Sequence, residues 1–506
     1  MLKRKLFILG ILTTLVFAFT LASCQVDLDN PGLSPPSFSS LRTYNESVQK
    51  VNFTGDTATV SFDSLRWNDI YLVKVNTSSL AVPAASTGHI QDFNANPPPI
   101  ASASLRSMVP RQSFIPPQTG EERSFWVEDY FGSGRFVQGT ATLRAAGKHG
   151  NIWVMNGNRR IVTGSQAQTL AERFDLIYPL VTNLLGHEYG GGPGGNGGRD
   201  GDPKIQILVY DIVDENVGQG WEVNGFFWAK DFYTQRELDQ WGFNNIKTNM
   251  AEIFYLNAVT LINAPEHIYT ALVHELQHMI NFNLKAVRHG RSSETWFDEM
   301  LAMMTEDLIS PLIGISPESR SHPLQERIPV FLESYYRAGV TEWDSGAAIL
   351  DYYAVTYAFG AYLLRNFGGP VLLREILANS NTGTDSISAA LQKVSGVSFG
   401  QSLSRFGEAM LFGGSSRPAG TLSFDNTVSS TVGGTRYTAH SFDIWSMQQW
   451  PSNDTGPRIF GIGQMDIRPH SVMLHSTAEW LTVSGAISIT LERPEDPAIE
   501  LYLMVR

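Results

Sequence analysis

The residues best placed to do chemistry form His-Glu-Leu-Gln-His, His274 to His278, in a 506-residue chain with eleven histidines. On a helix, residues four apart project from nearly the same face, one turn up. His274 and His278 could then bring two imidazole nitrogens to one ion at roughly 2.0–2.1 Å, the distance zinc takes to histidine. Glu275, rotated by about 100°, stands beside that position without occupying it. From there it could take a proton from a water at the ion and deliver it to a leaving amine. The same five letters also suit a buried helix with two hydrogen-bonded histidines, so they do not decide the matter alone.

A third ligand would decide it. His289 follows His278 by eleven residues with Gly290 after it, and reads as an exposed loop residue. Glu299, within Glu294-Thr-Trp-Phe-Asp-Glu-Met-Leu-Ala302, lies twenty-one residues past His278. A second helix packed on the first would carry its carboxylate to the ion, giving two histidines, one glutamate and an open position. Glu294 competes, but it precedes the tryptophan. Leu272, Leu276, Met279 and Ile280 supply the apolar stripe that holds the first helix down, and Met300, Met303 and Met304 read as core on the second.

The elements that must position these residues are legible in outline. Asn263 reads as the N-cap of the first helix, with Glu266 three residues on and Pro265 in the first turn. Strands Lys204–Ile212 and Ala251–Val259 precede it, and a helical segment starting near Ser165 precedes those. Short alternating runs from about Val51 to Gly147 suggest a β-rich N-terminal domain, and strands after Gly414 suggest a second one. The expected division is 1–24 signal peptide, 25–50 tether, 51–147 β-rich domain, 148–414 catalytic domain and 415–506 β-rich domain. The loop Gly190–Pro203 is too glycine-rich to pack a core. Its Asp200 and Asp202 could bind calcium with backbone carbonyls, but the ligand spacing and closing glutamate of an EF-hand are missing. A plain loop is the simpler reading.

Composition narrows the partners. A net charge of −12 with no basic cluster past residue 5 excludes a nucleic-acid binder of the phosphate-clamping kind. The N-terminus has Lys3, Arg4 and Lys5, an apolar run from Leu6 to Leu21, then Leu-Ala-Ser-Cys24. That is a secretory signal, and its end resembles the lipobox of bacterial lipoproteins, in which the cysteine is lipidated. Cys24 is the only cysteine, so intrachain disulfides are excluded. The implied location is the bacterial envelope, with a lipid bilayer as partner through Cys24.

The pair HELQH and WFDEMLA resembles the gluzincin clan of zinc peptidases, and within it the hyicolysin family of secreted bacterial metallopeptidases. The lead-in FDLIYP, IQILVYDI, GFFWAKDFY and EIFYLN carries the same likeness, which covers roughly residues 151–414. The resemblance implies an α+β fold with a thermolysin-like core, one zinc ion on His274, His278 and Glu299, Glu275 as general base, and polypeptide substrates. Tyr353-to-Pro370 resembles the helix that carries the catalytic tyrosine in leukotriene-hydrolase-like aminopeptidases of the clan, which selects Tyr353 as donor to the oxyanion over Tyr352 and Tyr357.

Two departures stand out. The aspartate that orients the first histidine in thermolysin-like members is Met303 here, so Asp298, Glu306 or a carbonyl must serve. Glu252 sits on the strand expected to be the substrate-binding edge, but the aminopeptidase pattern around it is missing. It reads as a surface glutamate, which favours endopeptidase action. The expectation is a zinc endopeptidase tethered to the envelope. The alternative is an inactive gluzincin-like lipoprotein acting as a binding or adhesion module, and a third reading is hydrolysis of a non-peptide bond.

Overall fold

The first elements are β1 (Val48–Lys50), β2 (Thr57–Asn68) and β3 (Ile70–Asn76), the last buried on both faces. Strands β4 (Glu122–Glu128), β5 (Phe136–Ala146) and β6 (Gly150–Met155) lead to helix α1 (Gly164–Leu185). Its start is fixed by a reciprocal capping box between Thr163 and Gln166. Next come β7 (Ile205–Tyr210), β8 (Gly225–Phe227), α2 (Gln235–Gln240), β9 (Ile253–Asn257), α3 (Ala258–Asn263) and α4 (Pro265–Asn281). A π-helical segment, Phe282–Val287, precedes α5 (Thr295–Ile309), α6 (Pro323–Ser334) and α7 (Ile349–Asn366). The chain closes with α8 (Pro370–Ala378), α9 (Gly383–Val394), α10 (Phe399–Ser404), α11 (Phe406–Leu411), β10 (Val428–Val432), β11 (Thr435–Ala439), β12 (Ser471–His475), β13 (Val483–Glu492) and β14 (Ile499–Val505).

The structure is a computed structural model and describes residues 46–80, 115–129, 135–212, 223–346, 348–414, 417–462, 467–494 and 496–506. Cys24, the signal segment and the tether up to residue 45 lie outside the described residues. Among the described residues, no helix is long and apolar enough to cross a membrane.

A six-stranded sheet, ordered β4-β5-β6-β7-β9-β8, underlies the helices. Its central strands β6, β7 and β9 run parallel and are apolar on both faces because both faces are covered. Ile152, Val154, Ile207, Val209, Phe254 and Leu256 face the main core with α1 and α4. Trp153, Leu208 and Tyr255 face a smaller core with Phe125 and Leu143. The edge expected from sequence is corrected here: β9 lies inside, and the edge strand is β8, antiparallel to it. Three residues are too few to show a period, so Gly225–Phe227 carries no strand signal in the sequence. Gly225 suits that place, because a Cβ there would stand 2.7 Å from both Leu256 Cδ2 and the Tyr255 carbonyl oxygen.

Strand pairing also crosses the domain boundaries expected above. β4 and β5 extend the six-stranded sheet, whereas β1 and β3 join β12 and β14 in an antiparallel sheet ordered β1-β14-β3-β12. β2 and β13 form a ribbon over it. One face of the ribbon buries Phe62, Leu65 and Ile489 on that sheet, while the other pairs hydroxyls, Thr59 with Thr490 and Ser61 with Ser488. The two ends of the chain thus build one unit, because each supplies apolar strands the other lacks. Val73, Val75, Val472, Leu474, Tyr502 and Met504 belong to the same core as the helices. At Gly407 a Cβ would meet Val73 Cγ1 at 2.5 Å, so α11 approaches the sheet backbone-close.

Candidate metal centre

Helix α4 begins with Pro265 in its first turn, where a missing N–H costs nothing. Asn263 is not its cap: it ends α3, and Ala264 joins the two helices with φ −146° and no side-chain cap. Leu272, Leu276, Met279 and Ile280 are all fully buried, so the stripe fixes the rotation of α4 and turns His274 and His278 towards α5. The two helices run antiparallel. His274, earlier on α4, meets Glu306, late on α5, whereas His278 meets Asp298, early on α5.

Between those contacts stands Glu299. His274 Nε2 lies 3.0 Å from its Oε2, and His278 Nε2 lies 3.7 Å from its Oε1. One donor atom from each of the three falls within 4.8 Å of the others. Ligand atoms around a tetrahedral ion with bonds of roughly 2.0–2.1 Å sit about 3.3 Å apart, so the spacing suits a metal after small adjustments. The Nδ1 atoms face carboxylates behind them: His274 is hydrogen-bonded to Glu306 Oε1 at 2.6 Å, and His278 lies 3.0 Å from Asp298 Oδ1 as an ion pair. Those contacts fix each ring and leave both Nε2 atoms facing Glu299.

Electrostatics follow from that crowding. Burial opposes a charge on His274, but hydrogen bonds and charge from Glu299 and Glu306 outweigh it and raise its pKa well above the ordinary value. For His278 burial is again opposed, by Asp298 and Glu299, and the pKa rises to about 9. Burial would raise Glu299, yet the two histidines bring it below the usual carboxylate value. Burial raises Glu275, and the same histidines only partly offset that.

Glu275 does not join the three. Its Oε2 accepts the backbone N–H of Phe227 at 2.7 Å, so the edge strand β8 lies directly against it. Burial and the negative charge of Glu299 raise the pKa of Tyr353 on α7, while Tyr357, one turn on, donates to Asp307 at 3.0 Å. Tyr352 has neither contact and lies tilted against Trp343, which meets Tyr353 edge-on. Arg327 on α6 stacks its guanidinium 4.9 Å from the Tyr353 ring.

Other candidates go elsewhere. Glu294 is the N-cap residue of α5, its carboxylate so close to Gly383 that a Cβ there would stand 2.2 Å from Oε2. His289 is exposed, and Met303 is core at 1% exposure. Glu252 departs from the surface placement expected of it: it is 4% exposed, beneath the glycine-rich loop, and accepts the Arg199 N–H. Gly198, at φ +63°, makes that possible, since a Cβ would meet the Glu252 carboxylate at 2.1 Å. Asp202 accepts Lys204 N–H, Asn151 and Gln206, and Asp200 accepts Asp202 N–H. Among the described residues only His274, His278 and Glu299 gather three such groups at metal spacing.

The division of labour between Glu306 and Asp298 is not visible in the sequence. A signal exists: Glu306 follows Glu299 by seven residues, two helical turns, and so shares its face. A partner at that place is expected to tune metal affinity. Glu306→Ala should weaken zinc binding by about 10–100-fold, measured by competition with a chromogenic chelator. Unchanged affinity would show that Glu306 does not orient His274.

A helix-borne His-Glu-x-x-His pair, completed by a glutamate from an antiparallel helix, defines the class of chain: one built around a metal centre of the kind metallopeptidases use. The Peptidase M30 family model matches residues 138–432, and the chain belongs to that family, the hyicolysin-like metallopeptidases. The match runs from β5 to the β10 strand and leaves the terminal sheet outside. The chain is also similar to the Neutral metalloprotease ShpI of Staphylococcus hyicus, 28% identical over 266 residues, covering 50% of this chain and 54% of that protein. The chain thus spans about half the length of the curated relative it matches.

Proposed function

We propose that this protein is a zinc-dependent endopeptidase, with His274, His278 and Glu299 as metal ligands, tethered to the bacterial envelope through Cys24. The observation that carries the reading is the convergence of those three donor atoms within 4.8 Å, with Glu275 beside them on α4 and hydrogen-bonded to the edge strand β8. A neutral metalloprotease among its relatives supports it. The donor set, two imidazoles and one carboxylate with both rings held from behind, fits zinc. When bound, zinc supplies a Lewis acid that acidifies a water and polarises the scissile carbonyl.

The chain's own groups supply the rest. Glu275 takes a proton from the attacking water as its oxygen bonds to the carbonyl carbon. Tyr353 donates a hydrogen bond to the carbonyl oxygen as that oxygen gains charge. Burial and the nearby Glu299 hold the Tyr353 pKa well above its ordinary value, so the phenol stays protonated and able to donate it. Glu275 then hands its proton to the amine nitrogen, and the C–N bond breaks. Among the described residues β8 ends the sheet close to Glu275, so an extended peptide would add to the sheet there.

Cleavage of a quenched casein by the zinc-loaded protein tests the reading. Retention of size-matched peptides without cleavage would replace it with a binding module. Tyr353→Phe should lower kcat by about 10²–10³ with KM nearly unchanged. Tyr357→Phe, which removes a hydroxyl bonded to Asp307 instead, should leave kcat within about twofold. Equal effects of the two would unseat Tyr353 as the donor.

A further inference from the structure

One end of the terminal sheet presents apolar side chains that no described residue covers. Trp67, near the end of β2, is 74% exposed, and Leu481, just before β13, is 45% exposed. The two are neighbours: Asn68 pairs with Val483, and Thr482 donates its N–H to Asp69. Trp480 stands beside them, half-buried. Trp67 and Thr482 both carry positive φ, 58° and 57°, a region bulky side chains rarely enter. The fold therefore holds the indole outward in a strained backbone, which the packing around it must sustain.

The N-terminal segment joins the fold at the same end. Val505 donates to the Ser47 carbonyl, and Asp69 and Arg506 exchange two backbone hydrogen bonds. The sequence leading from Cys24 thus arrives a few residues from Trp67. We propose that this end of the terminal sheet docks on a lipid bilayer, with Trp67 and Leu481 entering the headgroup region. The orientation rests on reading Cys24 as a lipid attachment point, whereas the contact itself does not need lipidation.

Three observations favour a bilayer over a second copy of the chain. Tryptophan prefers the membrane interface, where its apolar ring and N–H both find partners. Some twenty residues separate Cys24 from Glu46, and at about 3.3–3.6 Å per residue they keep this end within reach of an anchored lipid. Charges around the tip are mixed, Arg66 and Arg506 against Glu46, Asp69 and Glu479, so the surface suits a zwitterionic membrane and needs no anionic lipid. Two or three side chains give weak partitioning, which tethering would strengthen through effective concentration.

The test uses protein lacking residues 1–24 and phosphatidylcholine vesicles, with co-sedimentation as readout. Partitioning should persist in 0.5 M NaCl, because screening acts on charge and not on apolar insertion. Trp67→Ser with Leu481→Ser should cut it at least fivefold, with thermal midpoint and casein cleavage unchanged. Equal partitioning of the two proteins, or none by the parent, overturns the proposal. So does a concentration-dependent dimer, lost in the double variant, in sedimentation velocity. Lipidation is read separately, from the detergent phase of full-length protein and its Cys24→Ala variant. Loss of that result removes the anchor and leaves the vesicle experiment standing.

Discussion

Glu275→Gln should lose at least about a hundredfold in peptide cleavage, in line with general-base contributions, while binding zinc as the parent does. The substitution is close to isosteric, and its side-chain oxygen can still accept the Phe227 N–H that now lies 2.7 Å from Oε2. The edge strand and the rotamer are therefore retained, and only the ability to accept and return a proton goes. His274, His278 and Glu299 are untouched, so zinc content measured by atomic absorption should remain at one per chain. A variant that kept more than a tenth of the activity would end the assignment of Glu275 as base. A variant that lost zinc as well would leave the kinetic loss unassigned to proton transfer, and Glu275→Asp would then separate positioning from basicity.

The largest stability effect is expected at Asp307. It is 1% exposed and receives Arg365 Nη1 at 2.8 Å, Arg365 Nη2 at 3.1 Å and the Tyr357 hydroxyl at 3.0 Å. Burial would raise the Asp307 pKa, but Arg365 outweighs it and holds the carboxyl below its ordinary range. Removing one member of such a pair strands the other charge in the interior, at a cost of about 3–5 kcal/mol. Asp307→Ala should shift the urea midpoint by that equivalent. Asp307→Ala with Arg365→Met should recover part of it, because the uncompensated guanidinium is gone. A single-variant loss below about 1 kcal/mol would show that the His440 and Ala361 carbonyls, which also accept from Arg365, suffice. The bridge joins α5 to α7, the helices that carry Glu299 and Tyr353, so its loss should also weaken zinc binding.

The sequence made local facts legible and distant ones not. HELQH announces its own geometry, because the spacing of four needs only a helix. Glu299 was within reach because its helix is short of breakers and follows closely. The partner of His274 was narrowed only to Asp298, Glu306 or a carbonyl, because choosing among them requires the direction and rotation of α5 against α4, which bring Glu306 to it. The edge strand escaped because β8 is three residues long, and burial made Glu252 a loop anchor where charge alone suggested the surface. Pairing of β3 with β14 joins residues more than 400 apart, and no local pattern encodes it. Cys24 stays an expectation from sequence.

That long-range pairing has a temporal consequence. β14 is the strand between β1 and β3, so neither can complete its ladder until residues 499–505 have been made. A chain emerging from its N-terminus carries Val48, Val73 and Val75 uncovered while the whole donor set of the metal centre is synthesised behind them. Contacts of this sequence separation form late. Maturation is therefore gated by residues 499–505: a nascent chain that has not yet reached them holds the residues of the metal centre and still lacks the strand that closes its core.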